Sequence, residues 1–225
     1  MLNCFLNLLV DAHSALYLTN VAFFSMGATN DTDFGSEGEK AEELGVERFR
    51  KLFDSEMGRM DEEEFKRAEK LPVAVVLDNV RSANNVGSAF RTCDAFRMEK
   101  MVLCGITGCP PAADIHKTAL GAEFSMKWEY GRSTVEVVRG MKEEGRCIVA
   151  VEQAENSTAL QEMQLEKGRS YAFVFGNEVG GVQQEVMDLA DMCVEIPQYG
   201  TKHSLNVSVS IGIVLWEAAR ELNGE

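Results

Sequence analysis

At 225 residues the chain suits one compact domain with an appendage, or two small domains, and a hydrophobic content of 45% is that of a globular rather than a disordered protein. A net charge of −14 argues against a protein that coats nucleic acid by bulk charge, though it leaves room for a local basic patch. The six cysteines, at 4, 93, 104, 109, 147 and 193, form no C-x-x-C pair and read as buried small hydrophobes of a reducing cytoplasm.

Residues 1–30 are apolar, but Asp11 and His13 interrupt them and no Lys or Arg precedes Lys40. The basic n-region of a signal peptide and the arginines of a transit peptide are therefore missing, and neither half reaches the ~20 apolar residues of a membrane span. This stretch is expected to be an extension of weak structural content, with Met26 just before a change of composition. Residues 31–70 hold 14 acidic and 8 basic residues. They read as an acidic linker followed by a solvated lead-in helix, with Asp61 as N-cap and Glu64 three residues on.

From Leu71 the texture changes. Continuous apolar runs at 73–77, 101–104, 147–151, 171–175 and 192–196 have the look of strands buried on both faces. Helical patterns at 86–97, 133–144 and 182–190 separate most of them. The alternation predicts an α/β domain over 71–225, a parallel sheet flanked by helices. Residues 205–223 fit both an alternating strand and a helical stripe, but their length without a turn signal and the segment "LWEAAREL" favour helix.

Three polar clusters each follow a predicted strand, where open parallel sheets bind ligands. The first, "LDNVRSANNVGSAFRTCDAF", places Asn79, Arg81, Asn84, Asn85 and Gly87 before or in a helix, with Arg91 one turn beyond Gly87. Asn84 or Asn85 is the expected N-cap, and this set of Arg and Asn suits phosphate and sugar oxygens. The second, "FGNEVGGV", has the glycines of a phosphate loop. It lacks the Lys-Ser/Thr of a Walker A motif and the G-x-G-x-x-G spacing of a dinucleotide fold. A tight strand-to-helix turn is the other reading. The third, "IPQYGTKHSLNVSVSIG", gathers Lys202, His203, Ser204 and Asn206 ahead of the last helix. With no G-x-S-x-G elbow in the chain, His203 is read as structural or orienting, and no metal site is expected.

Together and in this order the clusters resemble the SPOUT methyltransferases, specifically the SpoU (TrmH-like) family of RNA 2′-O-ribose methyltransferases. The matching stretches are "NVRSANNVGSAFRT", "FGNEVGGV" and "IPQYGTKHSLNVSVSIGIVLWE", within about 71–222. The resemblance implies a SPOUT-type α/β fold with a C-terminal deep trefoil knot. It implies S-adenosylmethionine as cofactor, tRNA or rRNA as substrate, a homodimer with each site completed across the interface, and no metal or membrane. Carried onto this chain, it implies catalytic roles for Arg91, Asn85, Glu178, Asn206 and Ser204. Cofactor contacts fall to Val151, Gly176, Asn177, Gly180, Ile196, Gln198 and Leu205. Apart from the resemblance, the basic residues near the motifs, Arg81, Lys117 and Lys202 together with Arg91, are expected to form a local positive surface for RNA in a dimer. The basic extensions of several family members are missing here. Two rivals stand beside this reading: a non-catalytic knotted RNA-binding or scaffold protein, and an ordinary Rossmann-type nucleotide enzyme, which the glycine spacing opposes.

Overall fold

The structure, a computed structural model, describes residues 49–224. The expectations for residues 1–30 and for most of the acidic linker lie outside the described residues. Of the N-terminal unit that ends at Met57, the described part carries a single 3-10 turn, Asp54–Glu56, where the Glu56 carboxylate accepts from Arg50 (2.9 Å) and from Phe53 N (2.8 Å).

The second unit, from Gly58 onward, opens with helix α1 (Glu62–Arg67). The expected cap is present in both directions: Glu64 N donates to Asp61 Oδ1 (2.8 Å) and Asp61 N to Glu64 Oε2 (3.1 Å). The helix is not wholly solvated, because Phe65 is buried in the main core.

Seven parallel strands follow: β1 (Leu71–Asp78), β2 (Met98–Cys104), β3 (Trp128–Gly131), β4 (Cys147–Val151), β5 (Thr158–Ala159), β6 (Tyr171–Phe175) and β7 (Met192–Glu195). Their order across the sheet is β3-β2-β1-β6-β4-β7-β5. In the centre β1 and β6 run in register from Val73↔Tyr171 to Leu77↔Phe175. The five predicted strands are present. The two that were missed, β3 and β5, are the sheet edges, and their short, partly exposed sequences "WEYG" and "TA" carry no apolar run.

Alternate residues of each strand enter two different cores, which is why the runs are continuous. On one face Val73, Val75, Leu77, Phe173 and Phe175 pack with α2 (Ala83–Ala95) and the long C-terminal helix α7 (Val207–Asn223). On the other, Ala74, Val76, Ala172 and Val174 pack with α5 (Thr134–Glu143) and α6 (Gln184–Met187). The ambiguous last segment is thus helical: Ile211, Val214, Leu215, Ala218 and Leu222 form its buried stripe. Two short helices, α3 (Ala113–Ala119) and α4 (Ala122–Ser125), were not foreseen; neither has a side-chain N-cap. Cys93, Cys104 and Cys147 are buried, and burial pushes the Cys104 thiol up to about 12, so it stays protonated at neutral pH. Among the described residues no helix is long and apolar enough to cross a membrane.

Candidate active site

The site lies beyond the carboxyl ends of β1, β4, β6 and β7, where chain segments leave the sheet with their amides free to bond side chains. After β6, the loop 176–182 folds back on itself. Asn177 N donates to Gly181 O (3.1 Å) and Gly181 N to Asn177 O (3.0 Å). Asn177 Oδ1 accepts from Val179 N (3.0 Å) and Gly180 N (2.8 Å). A Cβ at Gly176 would collide with the Gly181 backbone, so that glycine answers to loop closure rather than to a phosphate.

Glu178 reaches from this loop to the start of α2. Its carboxylate accepts from Arg81 N (3.0 Å), Ser82 N (3.1 Å) and Asn85 Nδ2 (2.8 Å). Burial opposes ionisation of Glu178. It is outweighed by the amide of Arg81, its own amide, the Asn85 side chain and the amide of Ser82, which hold the carboxyl below its usual range. The helix itself is capped by Ser82, whose Oγ accepts from Asn85 N (3.4 Å), and not by Asn84 or Asn85. Asn85 is thereby freed for Glu178 on one side and Asn206 on the other, with Asn206 Nδ2 donating to Asn85 Oδ1 (3.2 Å). Asn206 is also the N-cap of α7, accepting from Ser208 N (2.9 Å). One hydrogen-bonded chain, Glu178–Asn85–Asn206, therefore ties the three sequence clusters together.

Behind this chain opens a cavity of about 590 Å³. All seven expected cofactor residues line it: Val151, Gly176, Asn177, Gly180, Ile196, Gln198 and Leu205. Glu178, His203, Ser204 and Asn206 complete the rim. Three acidic residues line the cavity (Glu152, Glu178 and Glu195) and no Lys or Arg does. This wall repels di- and triphosphates and suits a cation without phosphate, while Val151, Phe175, Ile196 and Leu205 offer an apolar slot for a flat base. S-Adenosylmethionine, a sulfonium with an adenine and no phosphate, fits that donor set.

Arg91 is elsewhere. It does not line the cavity but faces a second cleft, with Ser88, Phe96, Lys117, Leu120 and Gly212 of α7. That cleft is shaped where α3 crosses α2: a Cβ at Gly87 would strike Thr118 Oγ1, which instead donates to Asn84 O (2.9 Å). Arg91 is exposed and makes no hydrogen bond or ion pair among the described residues. Arg81, Lys117 and Lys202 are also exposed.

Sequence reasoning missed three side chains that hold the site. Asp78, fully buried at the end of β1, accepts from Asn79 Nδ2 (2.9 Å), Thr134 Oγ1 (2.5 Å), Gln183 N (2.9 Å) and Gln183 Nε2 (2.5 Å). Glu152 and Gln153 follow β4 and bond Val182 N (3.0 Å) and His203 O (2.7 Å) respectively. The visible signal was an acid closing an apolar strand, in "VAVVLD" and "CIVAVE".

Comparison with known proteins agrees with this architecture. A family model described as the SpoU rRNA methylase family matches residues 72–216. The tRNA (guanosine(18)-2′-O)-methyltransferase of Thermus thermophilus is 34% identical over 71% of this chain and 80% of its own length. The 23S rRNA (guanosine-2′-O-)-methyltransferase RlmB of Nitrosomonas europaea is 34% identical over 65% of this chain, which spans only 55% of that protein. Among solved structures, an AdoMet-bound rRNA methyltransferase from Sinorhizobium meliloti superposes with a TM-score of 0.64 at 28% identity, over 70% of this chain and 60% of that one. By sequence, by fold and by the placing of its three polar clusters, the chain belongs to the SpoU rRNA methylase family.

Proposed function

We propose that the chain is an S-adenosylmethionine-dependent RNA methyltransferase that methylates a ribose 2′-hydroxyl of tRNA or rRNA. The observation that carries this reading is a cation-free, acid-lined cavity joined by Glu178–Asn85–Asn206 to the helix that bears Arg91. The same residues are not needed by a scaffold, and the cavity's charge disfavours NAD.

The cofactor supplies an electrophilic methyl group on a sulfonium. Apolar walls and loop backbone at 176–181 and 196–205 hold it. Arg91, always protonated, binds a backbone phosphate of the RNA and stabilises the negative charge that grows on the 2′-oxygen as its proton leaves for solvent. Ser204 and Asn206 shape the nucleotide pocket, and Glu178 fixes Asn85 and the turn before α2. Arg81, Lys117 and Lys202 bind phosphates around the target.

Arg91 and the cavity do not meet within one copy, and this supports a homodimer in which each site is completed by a partner. An exposed apolar face supports it too: Val209, Ile213 and Trp216 of α7, and Leu120, which shares a cleft with Gly212 of the same helix, are 38–65% exposed. We further propose the family's trefoil knot, favoured by segment 196–206, which meets Gln153 through the His203 carbonyl and shares the cavity wall with the glycine loop before α7 enters the core opposite to that of α6. Stretching the unfolded domain from both ends should leave it shorter than an unknotted chain; full extension would refute the knot. Residues 71–225 form the methyltransferase domain behind an acidic arm, working in the cytoplasm where its RNA is met.

The test is calorimetric titration with S-adenosylmethionine and with NAD, followed by tritiated methyl transfer to bulk tRNA and rRNA and mapping of 2′-O-methyl sites. Binding of S-adenosylmethionine alone and label at a ribose are expected. Preference for NAD, or cofactor binding with no transfer to any RNA, would overturn the reading.

A further inference from the structure

Two loops line the cavity, and both are held by one dipeptide, Glu152–Gln153, immediately after β4. The Glu152 carboxylate accepts from Val182 N through Oε2 (3.0 Å) and from Gln153 N through Oε1 (2.9 Å). Gln153 Nε2, so oriented, donates to the carbonyl of His203 (2.7 Å). Segments 30 and 50 residues away along the chain thus converge on neighbouring side chains.

The glycine loop is built around this carboxylate. At Gly181, where φ is +66°, a Cβ would both strain the backbone and collide with Glu152 Oε2. Glu152 is half-buried and forms no ion pair among the described residues, so its charge is spent on amides and not on a basic side chain.

We infer that Glu152 is a positioning residue for the cofactor, setting the distance between the glycine loop and the 196–206 segment rather than neutralising the sulfonium. The inference rests on the reading of this cavity as the S-adenosylmethionine site. Positioning and charge pairing make different demands. A residue that shapes the walls serves S-adenosylmethionine and its uncharged-sulfur product, S-adenosylhomocysteine, alike. A counter-ion serves the sulfonium far better.

The experiment measures calorimetric Kd values for both ligands on Glu152→Ala and Glu152→Gln, with amide-proton exchange at Val182 and Gln153 in the ligand-free protein. Glu152→Ala should weaken both ligands about tenfold, the loss expected when the Val182 amide loses its acceptor and the loop it holds loosens. Glu152→Gln keeps one acceptor and should lose about threefold. Exchange at Val182 should accelerate in both variants. Should Glu152→Ala fail to fold, Glu152→Gln carries the comparison alone. A loss confined to S-adenosylmethionine, or unchanged affinity for both ligands, overturns the inference. If the unaltered protein binds neither ligand while Val182 exchange still accelerates in the variants, the cofactor reading falls and the loop-holding role survives it.

Discussion

The two clefts flanking α7 differ in almost every chemical respect. The cavity at the strand ends carries Glu152, Glu178 and Glu195 and no fixed cation. The cleft between α2, α3 and α7 carries Arg91 and Lys117 and no acid. One is suited to a cationic cofactor and the other to a polyanion. Neither contains a complete set of groups for moving a methyl group onto a ribose. The difference teaches that charge has been sorted between two sites, which the proposed function would bring together, and that a negative bulk charge is compatible with an RNA enzyme. A net charge of −14 describes the whole chain, while the proposed RNA surface is one small cationic cleft.

The sharpest way to break this division is Arg91→Ala. Loss of a fixed transition-state donor should cut methyl transfer by about 10²–10³-fold, while S-adenosylmethionine affinity by calorimetry stays within about twofold of the unaltered protein, since Arg91 does not line the cavity. Parallel loss of both would merge the two clefts into one site and end the comparison.

Next in size is Trp216→Asp. Trp216 is 58% exposed and leans on Phe96 with ring centroids 6.0 Å apart. A charge there should convert a dimer to a monomer in sedimentation experiments and remove most of the activity, with helical content unchanged. An active monomer would show that Arg91 reaches the cavity unaided.

Lys117→Ala probes the anionic side more gently. Turnover at saturating RNA should hold, KM for RNA should rise several-fold, and the slope of log affinity against log salt should fall by about one. An unchanged salt slope would remove Lys117 from the RNA surface.

A smaller effect is expected from Asn206→Ala, which takes away a helix cap: about 1 kcal/mol of stability, read from the denaturant midpoint. The same change severs the link to Asn85, so activity should fall more than stability alone accounts for. The least effect attends Glu178→Gln. Because the folded carboxyl titrates below its ordinary 4.5, the stability it contributes is full above that value and is lost as pH falls through the lower folded value. Glu178→Gln should therefore lose that stability at neutral pH and flatten the acid limb of the stability–pH curve below 4.5, the two proteins converging as pH falls through the folded value. An identical acid limb would disconnect Glu178 from the turn before α2.

Much of the architecture was legible because burial on both faces leaves unmistakable runs such as "VAVVL" and "YAFVF". The edges β3 and β5 were not, since a strand with one unpaired side tolerates polar residues. The short α3 and α4 lack the caps that announce a helix. Within the site, motif order exposed Asn85, Glu178 and Asn206, whose mutual bonding the structure supplies. The separation of Arg91 from Asn85 was written in the spacing: six residues at about 100° each turn the two side chains about 120° apart. Glu152 was hidden for another reason. Its meaning depends on Val182 and, through Gln153, on His203, and nothing local to "AVEQ" points so far along the chain.

The helix α7 begins with Val207 and Ser210 in the wall of the acidic cavity and carries Ile213 and Trp216 on its exposed apolar side. In a two-copy assembly that buries that side, the helix becomes a shared lever with a thermodynamic obligation. Whatever factor the methyl donor adds to the affinity of one copy for the other, association must return to the affinity for the donor. A dilution series with and without S-adenosylhomocysteine would thus read, from subunit exchange alone, how tightly each copy waits for its ligand before the other arrives.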